Sequence, residues 1–389
     1  MTTIEPNNNS TKNNSIQMVL NVVRQRYPVS RHKIAELTEL SVPSVSRILN
    51  RLLDEGFVEE TDSPHAGLGR KTKLITLKDG FLLTAGVEYD GDTIKSGIVD
   101  EKGHIISSGV FDIRNKGKNP ALVAKEIYSC VKFLFDKENI PVEKLFGIGL
   151  SLPGIIDFKE GVVVYSSTLN WNNVNLKSLI EEISGTVCVI DNDIKSAAYA
   201  EYNKGNAKGS KISALIYYGS GLGSAVVIDG TILRGVTNSA GEIGHITKEI
   251  NGILCTCGKI GCLQTSIARN FILDEVKKVA KYDSFEQLFD LENRRDKSIE
   301  RIAQKFVTYS AIAVDTAVCA YNPDAVILCG DVISADNGIF EEICDAYYQR
   351  FMCDYLKGSF TIKKSAFNGN ASLLGVGLQA AEKFFQSIN

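Results

Sequence analysis

The sequence predicts an α/β protein in which a winged helix-turn-helix precedes a two-lobed body. Three observations carry that expectation. Helical periodicity with capping signals recurs three times before residue 55; strands and helices alternate from residue 81 onward; and two glycine-rich turns stand at matching places in the two halves of the body, Glu88-Tyr89-Asp90-Gly91-Asp92-Thr93 and Gly219-Ser220-Gly221-Leu222-Gly223-Ser224. Alternation of strand and helix calls for sheets covered by helices, and a repeated turn suggests two similar lobes facing a cleft.

Bulk properties bound the class. At 389 residues the chain exceeds one hydrophobic core, and a prior of about 150 residues per domain gives two or three. With 44% hydrophobic and 23% charged residues it reads as an ordinary soluble globular protein. Nine unevenly spaced cysteines argue against a secreted disulfide framework and for a reducing cytoplasm. No run approaches the roughly 18 apolar residues of a membrane span, and residues 1–15 lack the basic start and apolar centre of a signal peptide. They read as a disordered Asn-rich tail. A net charge of −3 confines any nucleic-acid binding to a local patch.

Residues 16–79 hold such a patch. Between 16 and 80, ten Lys or Arg stand against eight Asp or Glu, while the rest of the chain is acidic. Residues 16–26 have helical periodicity, and Tyr27-Pro28 stops it. Ser30 is placed to cap a short second helix carrying Ile34, Ala35 and Leu37, and a tight turn follows at Glu39-Leu40. Ser41 then caps a third helix whose Val45, Ile48, Leu49 and Leu52 repeat at helical spacing, leaving Pro43, Ser44, Ser46, Arg47 and Asn50 on the other face. That is the pattern of a recognition helix. Small hydroxyls near its start suit phosphates and base edges, and Arg47 and Asn50 are of the types that read guanine and adenine. Two strands, 57–60 and 73–77, enclose Gly67-Leu68-Gly69-Arg70-Lys71, a wing whose glycines permit close approach and whose Arg70 and Lys71 supply charge to a duplex.

In the body the expected strands are 83–87, 96–99, 105–111, 146–150, 187–190, 214–218, 225–228 and 325–328. Helices are expected at 120–138, 174–184, 194–203, 265–280, 297–321, 338–356 and 371–387. Residues 80–194, with the C-terminal helix over 379–389, are expected to form the first lobe. Residues 195–378 are expected to form a second lobe that holds the metal site and a dimerisation surface.

The most informative segment is Glu242-Ile-Gly-His245 followed by Cys255-Thr-Cys257-Gly-Lys-Ile-Gly-Cys262. One imidazole and three thiols fall within 18 residues, and glycines between the last two thiols let the backbone fold back. Four N/S ligands give zinc a closed tetrahedral shell, so His245, Cys255, Cys257 and Cys262 are expected to hold a structural Zn2+ rather than do chemistry. The other six cysteines read as small buried hydrophobes.

Taken in order, the landmarks are the helix-turn-helix and wing, Gly147-Ile-Gly-Leu-Ser-Leu-Pro153-Gly154-Ile-Ile-Asp157, Asn170-Trp171, Asp191-Asn192-Asp193, Gly219-Ser-Gly-Leu-Gly223, Glu242-Ile-Gly-His245 and the cysteine segment. From about residue 16 to the C-terminus the chain resembles the ROK family (repressors, uncharacterised frames and sugar kinases), in its winged-helix repressor branch, which includes responders to xylose and N-acetylglucosamine. The resemblance implies an actin-like ATPase fold of two lobes with a sugar in the cleft. In the family's kinases the residue matching Asp193 is the general base, and those matching Asn170, Glu242 and His245 bind the sugar.

Three departures redirect the expectation from catalysis to sensing. The family's first phosphate loop reads Asp-x-Gly-Gly-Thr, whereas here Glu88-Tyr89-Asp90-Gly91-Asp92 would set carboxylates against an anionic polyphosphate. Gln264 stands where a sugar-contacting carboxylate is usual, and Lys195 where many members carry Asn. The expected function is a sugar-responsive repressor of carbohydrate genes, with Asp193 a vestigial base, ATP unused, a double-stranded operator and a sugar effector as ligands, and a homodimer or dimer of dimers as the working form. The rivals are an active ATP-dependent sugar kinase and a repressor governed by a protein partner such as a sugar-transport component.

Overall fold

The computed structural model describes residues 8–62, 73–279, 285, 287–290, 292–367 and 369–388. The wing loop with Arg70 and Lys71 lies outside them. Helix α1 (Asn8–Arg26) starts well before the periodic stretch, so residues 8–15, expected in the tail, are helical. The reason is cooperative: with Val19, Leu20 and Val23 buried, the nucleus is already fixed and each residue added at the N-terminal end gains a backbone bond.

Strand β1 (Val29–Ser30) leads into α2 (Arg31–Thr38), whose N-cap is Ser30, its Oγ accepting the Lys33 N–H at 3.2 Å. Glu39 reverses the chain with a left-handed φ of 56°. Ser41 then caps α3 (Val42–Asp54), accepting the Ser44 N–H at 3.3 Å. Strands β2 (Val58–Asp62) and β3 (Lys73–Leu77) pair antiparallel, and β1 adds to β3. Ile34, Val45, Leu49, Leu52 and Ile75 fill the centre of this domain.

The first lobe comprises β4 (Leu83–Tyr89), β5 (Thr93–Asp100), β6 (Ile105–Asp112), α4 (Pro120–Lys137), β7 (Leu145–Leu152), a small meander of β8 (Ile155–Asp157), β9 (Val162–Ser166) and β10 (Trp171–Val174), then α5 (Leu176–Ser184), β11 (Val187–Asn192) and α6 (Asp193–Lys204). The remaining elements are β12 (Ile212–Tyr218), β13 (Leu222–Ile228), β14 (Thr231–Ile232), α7 (Arg269–Val276), α8 (Lys297–Tyr321), β15 (Ala325–Cys329), α9 (Asp331–Ser334), α10 (Ile339–Arg350), β16 (Thr361–Lys364) and α11 (Ala371–Ser387). The two main sheets share one topology. In β6-β5-β4-β7-β11 and in β14-β13-β12-β15-β16 the first three strands form an antiparallel meander, and the last two run parallel to the first. The paired turns noted in the sequence are therefore equivalent hairpins, β4–β5 and β12–β13.

All eight expected strands of the body are present. Two expected helices are broken: 265–280 becomes a 3-10 turn at Leu263–Ser266 followed by α7, and 338–356 becomes α10 and a second turn at Asp354–Leu356. Strands β8, β9, β10, β14 and β16 were not expected. They are short and half exposed, so they carry little apolar periodicity.

Helices α6 and α11 lie against each other between the lobes. Glycine sets how close they come: a Cβ on Gly375 would fall 1.7 Å from the Ser196 carbonyl oxygen of α6, and on the sheet side a Cβ on Gly149 of β7 would fall 2.0 Å from the Val376 carbonyl oxygen of α11. The far end of α11 belongs to the core of the N-terminal helix-turn-helix domain. Ala381, Phe385 and Ile388 share a hydrophobic cluster with Val19, Leu20 and Val23, the Gln17 amide donates to the Phe385 and Ile388 carbonyls at 2.8 Å each, and Arg24 pairs with Glu382 at 2.7 Å. Among the described residues no helix is long and apolar enough to cross a membrane.

Candidate functional site

The imidazole and the three thiols converge. Their ligand atoms all lie within 4.8 Å of one another, with His245 Nδ1 3.7 Å from Cys255 Sγ and Cys257 Sγ 3.7 Å from Cys262 Sγ. A tetrahedral zinc with its usual bond lengths requires edges of roughly 3.6 Å between N and S and 3.8 Å between two S atoms. The donor set fits. Cys255 and Cys262 are buried and Cys257 is exposed. Burial pushes the Cys262 thiol up, with Cys257 and Cys255 adding to the shift, while Cys255, against its own burial, is held below the ordinary thiol range by hydrogen bonds from Cys257, Cys262 and His245. Three thiolates cannot crowd together without a cation to offset them. The loop is closed by Gly261, at φ 75°, where a Cβ would stand 1.6 Å from the Glu249 carbonyl oxygen. Gln264, which the resemblance sets against a sugar, turns its amide N–H to Cys255 Sγ at 3.2 Å. A carboxylate there could not donate that bond.

Glu242 precedes the single turn Ile243–His245, which sets its carboxylate on the side of the imidazole away from the sulfurs. Glu242 Oε2 lies 3.7 Å from His245 Nε2. Both side chains remain part-exposed, at 49% and 29%, so polar atoms here are open to a ligand. Asp193 opens α6, where its carboxylate accepts the Ile194 N–H at 2.9 Å. Burial raises its pKa, and the nearby Glu242 charge acts in the same direction. Asn170, exposed and left-handed at φ 55°, immediately precedes β10. Of these four, Asp193 alone lines the cleft of about 480 Å3 between the lobes, whose wall also includes Thr168, two residues before Asn170.

That cleft is acidic. Glu88, Asp90, Asp92, Asp193 and Asp331 line it against Lys95 and Arg269. Lys95 Nζ donates to the Gly369 carbonyl at 2.6 Å, and Arg269 pairs with Asp331 at 3.3 Å. Asp90 is absorbed by its own hairpin: Oδ1 accepts the N–H groups of Asp92 at 2.8 Å and Thr93 at 2.7 Å, and Oδ2 accepts the Thr93 hydroxyl at 2.9 Å. Glu88 accepts the Ser372 hydroxyl, and burial holds its carboxyl above the usual range against that bond.

Sequence reasoning missed the network that joins the lobes at the base of this site. Asp191, fully buried, receives both Arg234 guanidinium nitrogens at 2.8 Å and the Gln379 amide at 2.8 Å, and Arg234 lies 3.7 Å over the Phe158 ring. It ties the end of β11, the loop after β14 and α11 into one unit. Lys195, 3% exposed, lies among Asp191, Glu242 and Asp193, and burial lowers its pKa.

On α3 the expected DNA-facing residues divide. Arg47 and Asn50 are exposed, while Ser44 and Ser46 are half-buried. The Ser44 hydroxyl lies 2.9 Å from that of Ser41, within the cap. Asn50 Oδ1 receives both terminal nitrogens of Arg31, at 3.0 and 3.1 Å, and Arg31 also pairs with Glu60 at 2.9 Å. Arg31 was missed. Its one signal was its position just inside the second helix, directly after the capping Ser30.

The family model described as the ROK family matches residues 84–382. The chain belongs to the ROK family. A MarR family model matches residues 16–67 of this ROK protein, the reader domain. Among curated relatives it is 27% identical to the xylose repressor of Bacillus subtilis strain 168 over 378 residues, covering 96% of each chain. It is also 27% identical to a glucokinase of Halalkalibacterium halodurans over 308 residues, covering 75% of this chain and 93% of the relative. Its fold is that of a ROK family transcriptional regulator described as a homolog of the E. coli MLC protein, with a TM-score of 0.81, 21% identity and 97% coverage of both chains. The kinase relative lacks a counterpart to about a quarter of this chain; the two regulators span nearly all of it.

Proposed function

We propose that this ROK protein is a sugar-responsive, DNA-binding transcriptional repressor of carbohydrate uptake or catabolism genes that binds its effector between the lobes without phosphorylating it. The observation that carries the reading is the shared core. A helix-turn-helix is packed onto the last helix of a two-lobed cleft protein, so the reader and the cleft share one helix. The full-length similarity to a xylose repressor supports it.

Asn170, Asp193, Glu242 and His245 hold the sugar. Carboxylate, amide and imidazole groups supply the mixed donors and acceptors that a polyhydroxy ring requires. Zn2+, held by His245, Cys255, Cys257 and Cys262, supplies a closed structural shell that fixes the imidazole tautomer. His245 then turns Nδ1 to the thiols and Nε2 to the Glu242 side. ATP is not used: the N–H groups that a phosphate loop offers to an anion are consumed by Asp90, and five carboxylates line the space a polyphosphate would occupy.

Ser44, Ser46, Arg47 and Asn50, with Arg70 and Lys71 of the wing, contact the operator. The working form is a homodimer on a palindromic site. The effector lowers DNA affinity only by as much as it prefers the arrangement that cannot bind.

A thermal-shift panel of pentoses, hexoses and N-acetylated amino sugars, headed by xylose, tests this when each hit is carried into a DNA-binding assay. A sugar that stabilises the protein and shifts its DNA affinity supports the reading. Sugar- and ATP-dependent turnover that disappears in Asp193→Asn returns the protein to the kinases.

A further inference from the structure

An asparagine on a recognition helix reads adenine through two simultaneous bonds, its carbonyl oxygen accepting from N6 and its amide donating to N7. That requires a free oxygen. Here Asn50 Oδ1 already accepts from Arg31 Nη1 at 3.0 Å and Nη2 at 3.1 Å, which uses both of its lone pairs. Arg31 is itself fixed from two more directions, donating to the Ser46 carbonyl at 3.4 Å and pairing with Glu60 Oε1 at 2.9 Å, with its side chain only 24% exposed. Helix α2, helix α3 and strand β2 therefore clamp one guanidinium behind the reader. With Oδ1 occupied, the group Asn50 has left to offer a base is its NH2, two donors with no free acceptor.

We infer that Asn50 selects a base edge of acceptors, guanine first and thymine second, and rejects adenine, with Arg31 as the positioning residue that imposes this choice. Guanine offers N7 and O6, both acceptors, to the two amide hydrogens, and thymine offers O4. Adenine would bring its N6 donors against an oxygen already saturated by Arg31. The inference rests on the DNA-binding reading of the α3 face and sharpens it to a base.

The test uses the full-length protein. Duplexes are selected from a random library, and affinities are measured for all four bases at the operator position where Asn50→Ala flattens the preference. The wild type is expected to favour guanine over adenine there by about tenfold. Arg31→Met frees Oδ1 and should raise adenine to or above guanine, while Arg31→Lys, which restores one donor, should return part of the discrimination. Glu60→Gln leaves Asn50 clamped and should keep the wild-type ranking.

Adenine preferred by the wild type, no position that responds to Asn50→Ala, or a ranking unmoved by Arg31→Met would overturn the inference. So would a uniform loss across all sequences with a shallower salt dependence in Arg31→Met, which marks a phosphate contact. A change of ranking in Glu60→Gln as large as in Arg31→Met would mark a structural effect only. Failure to enrich any sequence has a different meaning, because it removes the DNA-binding reading itself.

Discussion

The β4–β5 hairpin of the first lobe and the β12–β13 hairpin of the second stand at equivalent places in sheets of identical order, yet they end in opposite chemistry. Asp90 folds its carboxylate back onto the N–H groups of its own turn. The second turn, Gly219-Ser220-Gly221, has no side chain that could do so except the Ser220 hydroxyl, which lines the cleft. A duplicated fold thus dictates where a loop arrives and leaves open what it binds. In the first turn the Asp92 and Thr93 N–H groups are satisfied by Asp90, and an N–H satisfied from within has nothing left to offer an anion.

The lobes differ again in what holds them: the second carries the loop that gathers His245, Cys255, Cys257 and Cys262, and the first is pinned by α11. The largest effect should come from Cys262→Ser. Losing a fully buried ligand should abolish stoichiometric zinc and cost on the order of 3–5 kcal/mol. Hydrogen exchange should accelerate in β12–β15 while β4 and β7 stay protected; equal loss in both lobes would show that the metal braces the whole body.

Gly149→Ala probes the other anchor. Its Cβ would stand 2.0 Å from the Val376 carbonyl oxygen, so α11 must shift, at a cost of about 3 kcal/mol in denaturant unfolding. Because α11 also carries the reader, DNA affinity should fall with it. A variant that is destabilised yet binds DNA normally would separate the two roles of that helix.

Asp90→Gly should cost about 1 kcal/mol of stability through lost turn bonds while raising nucleotide affinity measured by calorimetry. Equal nucleotide binding by the wild type would remove the contrast between the hairpins. Glu88→Gln has the opposite sign for stability. Burial raises this carboxyl above its unfolded value, so the folded state holds the proton more tightly and stability falls as pH rises through that window. The variant should melt higher than the wild type at pH 8, with the gap narrowing toward pH 4.5; a gap independent of pH would assign the effect to packing.

Much of the site was legible because it is local in sequence. His245, Cys255, Cys257 and Cys262 carry their own spacing, and Ser30 and Ser41 announce their helices by capping chemistry. The breaks in the helices near 267 and 352 were not legible, since apolar periodicity continues across them. Nor was the role of Gln264, because the distance from an amide to a sulfur is not written in a motif.

The residues by themselves determined the order of the domains and the clustering of one imidazole and three thiols, since each follows from spacing or side-chain type along a short stretch. Only the tertiary structure decided that Arg31 saturates Asn50, that Arg234 and Gln379 close on Asp191, and that the last helix serves the reader as well as the cleft. Those partners are brought together from 19 to 371 positions apart, and a hydrogen bond depends on where two groups meet in space, which no local pattern records.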